Sequence, residues 1–317
     1  MSPSPAVLLF LLCGAAPPPE STPAAPPREA QEILDAVNAL RAARNAPPLK
    51  LEPALCAAAQ ARAEEVARTD DPAAADTSGE AVGRYARAAG YEFRQIGEIV
   101  LFGEGSLPER LRRLSDSDPE AFADAVRPEY RDLGLGAVER DGRLVRALFF
   151  GLSVRDQFTQ ETADLRDLKQ VRDRMLARVN AERRAKRLPP LRENALLDQA
   201  AQAHADDMIR RSYYGHESPE GTAAMERARR AGYGALRVGE NIAEGPPTVA
   251  TVMDEWMRSS THREHILSLQ LNEIGMGVAF GKNGRGYEIV WVQVFGAPMP
   301  GVPGRPERSG APGSGAS

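Results

Sequence analysis

The sequence predicts an α+β protein built as two tandem copies of one domain, and two observations predict it. The first is self-similarity. Shifting the chain by 142 positions aligns "VNALRAARNAPPL" (37–49) with "VNAERRAKRLPPL" (179–191), and "RAAGYEFRQIGE" (87–98) with "RRAGYGALRVGE" (229–240). Over 37–68 plus 79–98, 24 of 52 positions are identical, where average usage gives about one in ten by chance. The period far exceeds the roughly 20–50 residues of solenoid repeats, so a whole domain is duplicated. The second observation is order: the second copy places its helical patterns first and two strand-like runs last, the signature of α+β layering.

The elements follow from local pattern. "LKQVRDRMLARVNAERRAKR" (168–187) carries Val171, Met175 and Val179 at helical spacing, and the Pro189-Pro190 pair ends it. Asn194 is a good N-cap for the alanine-rich stretch 194–212. A shorter helix is expected near 222–231 with Gly232 as its C-cap, and Thr248 opens another. "EIGMGVAF" (273–280) and "YEIVWVQVFG" (287–296) read as strands joined by "GKNGRG", the second alternating as a half-buried strand would.

Composition narrows the function classes. The apolar fraction is 42% and the charged fraction 26%, ordinary for globular protein. A net charge of −4 and pI near 5.8 give no basis for a nucleic-acid partner. Arginine clusters such as "ERRAKR" (182–187) read as solvated helix faces. The N-terminal run Ala6–Leu12 is too short to span a bilayer but suits the apolar core of a signal peptide. Residues 1–16 are therefore expected to be an export or lipoprotein signal, 17–29 a Pro-rich linker and 299–317 a disordered tail. Cys13 is the candidate for acylation and membrane attachment, although Leu12 stands where a small residue is expected. Cys56 then has no intrachain partner and reads as a small buried residue.

All four histidines, His204, His216, His262 and His265, lie in the second copy within 62 consecutive positions. The first copy has none: Arg62 faces His204, Ala74 faces His216, and Glu120 or its neighbour faces His262. Glu240 faces Glu98, so the acid is common to both copies. Joint loss of the histidines suggests that they act together, with His216, His262 and Glu240 as the strongest set. Two imidazoles and a carboxylate suit zinc or another divalent cation with an open position, or a hydrogen-bonded polar cleft. "HREH" (262–265) lacks the spacing of a zinc-protease helix, and His265 is expected on a helix surface. His204 is expected to be a satisfied buried histidine. Ser218, Ser259 and Ser260 lack the context of a nucleophile elbow.

The second copy resembles the CAP superfamily (cysteine-rich secretory proteins, antigen 5 and pathogenesis-related 1) in its bacterial, cysteine-poor form. The matching stretches are "GHESPEGTAAMERARRAGY" (215–233), "GENIAEG" (239–245), "VMDEWMRSSTHREHIL" (252–267) and the two strand runs. The resemblance implies two tandem α-β-α sandwich domains, a degenerate one over 30–155 and an intact one over 166–298. It implies a small antiparallel sheet between helices, and a cleft holding His216, Glu240 and His262, with Ser259 where the family's second glutamate would fall. Tyr214 and Trp256 are candidates to line or support that cleft. The function expected is non-enzymatic binding of a lipid, small molecule, protein or divalent ion at the cell envelope. The rivals are a metal-assisted hydrolase of an envelope component and a purely structural or interaction module.

Overall fold

The computed structural model describes residues 28–69, 79–117 and 119–300. The expected signal segment with Cys13, most of the Pro-rich linker, Ala74 and nearly all of the tail lie outside them. The chain divides into two compact units at Ser153/Val154. The first contains α1 (Arg28–Ala42), β1 (Lys50–Leu51), α2 (Pro53–Arg68), α3 (Gly79–Ala88), β2 (Phe93–Phe102), α4 (Leu107–Ser117), α5 (Pro119–Val126), β3 (Asp132–Arg140) and β4 (Arg143–Ser153). The second begins with α6 (Val154–Glu161) and a 3-10 turn, then α7 (Leu168–Ala185), β5 (Arg192–Glu193), α8 (Ala195–Arg211) and α9 (Ala224–Arg230). It continues with β6 (Ala235–Glu244), α10 (Val249–Arg258), α11 (Ser260–Leu267), β7 (Glu273–Asn283) and β8 (Gly286–Pro298).

Each unit holds one four-stranded sheet of the same topology, β1-β3-β4-β2 in the first and β5-β7-β8-β6 in the second. The long strands pair antiparallel, while the two-residue edge strands β1 and β5 pair parallel, so the sheets are mixed rather than purely antiparallel. In the second unit helices cover both faces. Met175, Val179, Val252, Trp256 and Ile266 pack on one side with Ile289, Trp291 and Phe295. Leu197, Ala201, Ala205 and Met208 pack on the other with Val290, Val292 and Val294. The period-two alternation of β8 thus divides two cores rather than core from solvent, which corrects the half-buried reading of that strand.

The alanine-rich sequence of α8 has a direct structural use. A Cβ on Gly275 would stand 2.1 Å from the Leu197 carbonyl carbon, and one on Gly277 2.5 Å from Gln202. Small residues on both sides let the helix backbone lie on the strand. As expected, Asn194 caps α8, accepting from the amides of Leu196 (3.0 Å) and Leu197 (3.4 Å). Gly232 takes a positive φ of 92° just after α9. Thr248 forms a reciprocal capping box with Thr251 at the start of α10.

The duplication extends to buried polar devices. Arg183 donates to the carbonyls of Pro189, Ile266 and Ser268, tying α7 to the C-terminal end of α11. Arg41 does the same for Pro47, Ala125 and Arg127 in the first unit. Both guanidiniums are buried, and burial lowers their pKa. Arg183 belongs to "ERRAKR", so reading that cluster as wholly solvated is corrected. Tyr233 donates to Glu273 at 2.7 Å and Tyr91 to Asp132 at 2.7 Å. Cys56 is half-buried and free, and burial raises its thiol pKa.

Candidate functional site

β6, which the strand pattern alone does not reveal, carries "GENIAE" and positions the site. Glu240 is buried within it and both carboxylate oxygens are engaged. The Nδ1 of His216 lies 2.9 Å from Oε1, and Arg227 Nη2 donates to Oε2 at 2.6 Å. Arg227 also donates to the His216 carbonyl at 2.9 Å. Because the carboxylate can only accept, His216 donates from Nδ1, leaving Nε2 as its free nitrogen. The His216 side chain is 56% exposed. Its hydrogen bond to Glu240, opposed by partial burial, raises its pKa.

His262 lies on α11, half-buried. Burial lowers its pKa first, and the neighbouring charges of His216 and His265 lower it further. The two imidazoles are therefore biased oppositely, His216 toward the cation and His262 toward the neutral ring. Tyr214 is 41% exposed. Partial burial, followed by the charges of Glu244 and Glu255, pushes its hydroxyl up to about 12. Glu240 also acts on it, so Tyr214 belongs to the same neighbourhood. Trp256 is 1% exposed and donates its indole N–H to the Ile242 carbonyl at 3.2 Å. It supports β6 from the core and presents no surface to a ligand.

Two expectations about the other histidines meet different outcomes. His204 is buried with Nε2 3.0 Å from the Gly215 carbonyl, a satisfied core histidine as expected. His265 is not a surface residue. Its ring packs against Gly239, where a Cβ would stand 2.8 Å from the imidazole, and against Phe295. Its Nδ1 lies 2.9 Å from Asn241 Oδ1. Asn241 Nδ2 donates to the His262 carbonyl (3.0 Å) and to Gln293 Oε1 (3.2 Å). Ser259 is both the C-cap of α10 and the N-cap of α11, so His262 and His265 lie on a separate short helix.

Sequence reasoning missed Arg227, Asn241, His265 and Gln293. The usable signal was comparison of the copies. Gly97 meets Asp124 as Gly239 meets His265, an offset of 141 that places Ala121 opposite His262. The paired residues Asn241 and Gln293 correspond to the paired residues Ile99 and Leu148. The first unit thus has an apolar pair where the second buries an amide network. It also has Arg62, from α2, donating to Glu98 at 2.8 Å. The acid common to both copies is neutralised by arginines from different helices.

The sequence matches the family described as "Cysteine-rich secretory protein family" (CAP) over residues 34–151 and again over 176–295. The chain belongs to the CAP family. Both units, including the histidine-free first one, are CAP domains. A curated relative, the uncharacterized protein YkwD of Bacillus subtilis (strain 168), is 34% identical over 116 residues, covering 37% of this chain and 43% of that protein. The chain thus spans less than half the length of that relative. An extracellular SCP-domain protein of Bacillus anthracis aligns at 19% identity and a TM-score of 0.37, covering 51% of this chain and 59% of that one. An outer surface protein of Borrelia burgdorferi aligns at 20% identity and a TM-score of 0.36, covering 40% of this chain and 92% of that one. Among the described residues, no helix is long and apolar enough to cross a membrane.

Among the described residues no group of three or more His, Cys, Asp or Glu side chains is disposed to hold a metal ion. Glu240 spends its oxygens on His216 and Arg227, the position of an orienting partner behind an imidazole rather than of a ligand.

Proposed function

We propose that this protein is an exported CAP-domain protein that binds a ligand at the cell envelope, without turnover, through the cleft of its second unit. The observation that carries the reading is the orientation of His216. Arg227 neutralises Glu240, Glu240 holds His216 Nδ1, and Nε2 is left as the atom offered to a ligand. His262 stands close enough for the His216 charge to act on it. A cation-biased donor beside a neutral imidazole suits a ligand that both accepts and donates a hydrogen bond, and the half-exposed Tyr214 adds an apolar wall. A divalent ion remains a ligand within this reading only through the two imidazoles, with Glu240 behind His216. Export rests on the apolar run 6–12 and small residues after it, with Cys13 as the anchor candidate.

The test is a calorimetric titration of the full chain with zinc near neutral pH, comparing wild type with His216→Ala, His262→Ala and Ser218→Ala. Stoichiometric binding lost in both histidine variants and kept in the serine variant establishes the ion as ligand, and metal-dependent turnover would then move the reading to a hydrolase. Absence of zinc binding directs the search to organic ligands. His216 and His262 resonances that shift together on titration of an envelope extract would support the cleft, and movement of neither would refute it.

A further inference from the structure

Outside the histidine cleft, the first unit contains an apolar pocket of about 130 Å³ between α1, the start of α4 and the strands β3 and β4. Ala30, Ile33, Leu107, Leu135 and Leu148 form its apolar wall, and Arg146 supplies its charge. The same place in the second unit retains about 10 Å³. The offsets of the duplication explain why: Arg172, Met175, Met276 and Trp291 stand there in place of Ala30, Ile33, Leu135 and Arg146. Arg172 and Trp291 are larger than Ala30 and Arg146, and the two methionines reach further than Ile33 and Leu135, which closes in one copy what the other leaves open.

The pocket has an unusual electrostatic rim. The Nε of Arg146 is buried without a hydrogen-bond partner, and so is that of Arg110, one turn on from Leu107 in α4. Both guanidiniums approach the corner at Gly103, whose φ is +88°. Arg146 Nη1 reaches its carbonyl only at 3.5 Å, and Arg110 Nη1 lies 3.4 Å from where a Cβ would be. Arg110 Nη1 also donates to the Glu104 carbonyl at 2.9 Å, a neutral acceptor that leaves its charge unmatched. Among the described residues neither arginine makes an ion pair, although exposed arginines elsewhere in the chain pair freely with acids. The Arg146 guanidinium in the lining, with that of Arg110 meeting it at Gly103 and neither holding a counter-charge, is complementary to a carboxylate carried on an apolar body.

We propose that this pocket is a binding site for a small organic carboxylate, its apolar part in the hollow and its carboxylate at Arg146 and Arg110. The volume sets the size, since an apolar cavity of about 150 Å³ holds one benzene ring. A single ring or a short branched chain fits; a long unbranched tail does not.

The test is a titration of the full chain with sodium phenylacetate at low ionic strength, with phenylacetamide as the uncharged control. Wild type is expected to bind phenylacetate with a dissociation constant of about 1 mM or tighter. Phenylacetamide, and phenylacetate with Arg146→Gln, should bind about tenfold more weakly. Ala30→Leu, which fills the hollow, should abolish binding while leaving the melting curve cooperative. Binding undetectable at about 10 mM, equal binding of acid and amide by wild type, or binding indifferent to Ala30→Leu would each overturn the proposal. The acid–amide comparison needs no variant to fold.

Discussion

Replacing Asn241 by isoleucine would give β6 of the second unit the residue that the first unit has at the corresponding place, Ile99. Asn241 is fully buried and serves three groups: the His262 carbonyl, Gln293 Oε1 and His265 Nδ1. Each would lose its partner, at about 1–3 kcal/mol apiece. Burial of the isoleucine side chain returns about 1.5–3 kcal/mol. The net expectation is a loss of about 3 kcal/mol. Gln293→Leu alone leaves one Asn241 N–H unsatisfied and should cost about 1 kcal/mol. The double variant restores an apolar pair like Ile99–Leu148, so its cost should fall below the sum of the singles by about 1–2 kcal/mol. Both tryptophans of the chain, Trp256 and Trp291, lie in the second unit, so tryptophan fluorescence in urea reports that unit alone. A cost below about 1 kcal/mol for Asn241→Ile, or strict additivity in the double variant, would refute this account of the network. Restored stability with ligand binding still lost would show that the amides position His262 and His265 rather than hold the fold.

Glu240→Gln should lower the His216 pKa, read from the imidazole NMR shifts against pH, because it removes the hydrogen-bonded carboxylate that raises it. The sign follows by linkage. The stability from this pair is complete below the unfolded histidine pKa of about 6.5 and is lost as pH rises through the raised folded value. The same change leaves Arg227, whose side chain is 11% exposed, without its counter-charge, so urea unfolding should show a loss of about 3 kcal/mol; a loss under about 1 kcal/mol would count against it. Asp198 is buried, which is the main reason its carboxyl is pushed up to about 7, with Met276 N–H and Arg172 opposing and Glu193 adding to the rise. Its raised folded value makes the second unit lose stability as pH climbs from about 4 to 7, and Asp198→Asn should flatten that slope in pH-dependent urea titrations. Gly275→Ala would put a methyl 2.1 Å from the α8 backbone, so it should lower stability by at least about 2–3 kcal/mol, whereas Gly284→Ala, which meets only the Ser212 side chain at 3.3 Å, should be much milder in the same thermal melt.

The duplication, the α+β class and the helix caps at Asn194 and Thr248 were legible in the letters alone, and so was the candidacy of His216, Glu240 and His262. These are properties of local pattern or of letter-by-letter comparison between copies, and neither needs the chain to be folded. The sequence also revealed that the first copy lacks every histidine. What those residues touch became visible only in the packed fold. "GENIAE" mixes polar and apolar letters, so only pairing with β8 shows that it is a strand whose Glu240 and Asn241 are both buried. His265 looks like a helix-surface residue until Gly239, 26 positions earlier, is seen to make room for its ring. Arg227 is one of several arginines on a short helix, and nothing in its neighbours marks it as the counter-charge of Glu240. The open pocket at Arg146 is likewise invisible in the sequence, because a hollow is the difference between side-chain volumes brought together from α1, α4, β3 and β4. Local preference is written residue by residue, whereas burial, charge neutralisation and empty space depend on pairs distant in the chain, and only the packed fold creates those pairs.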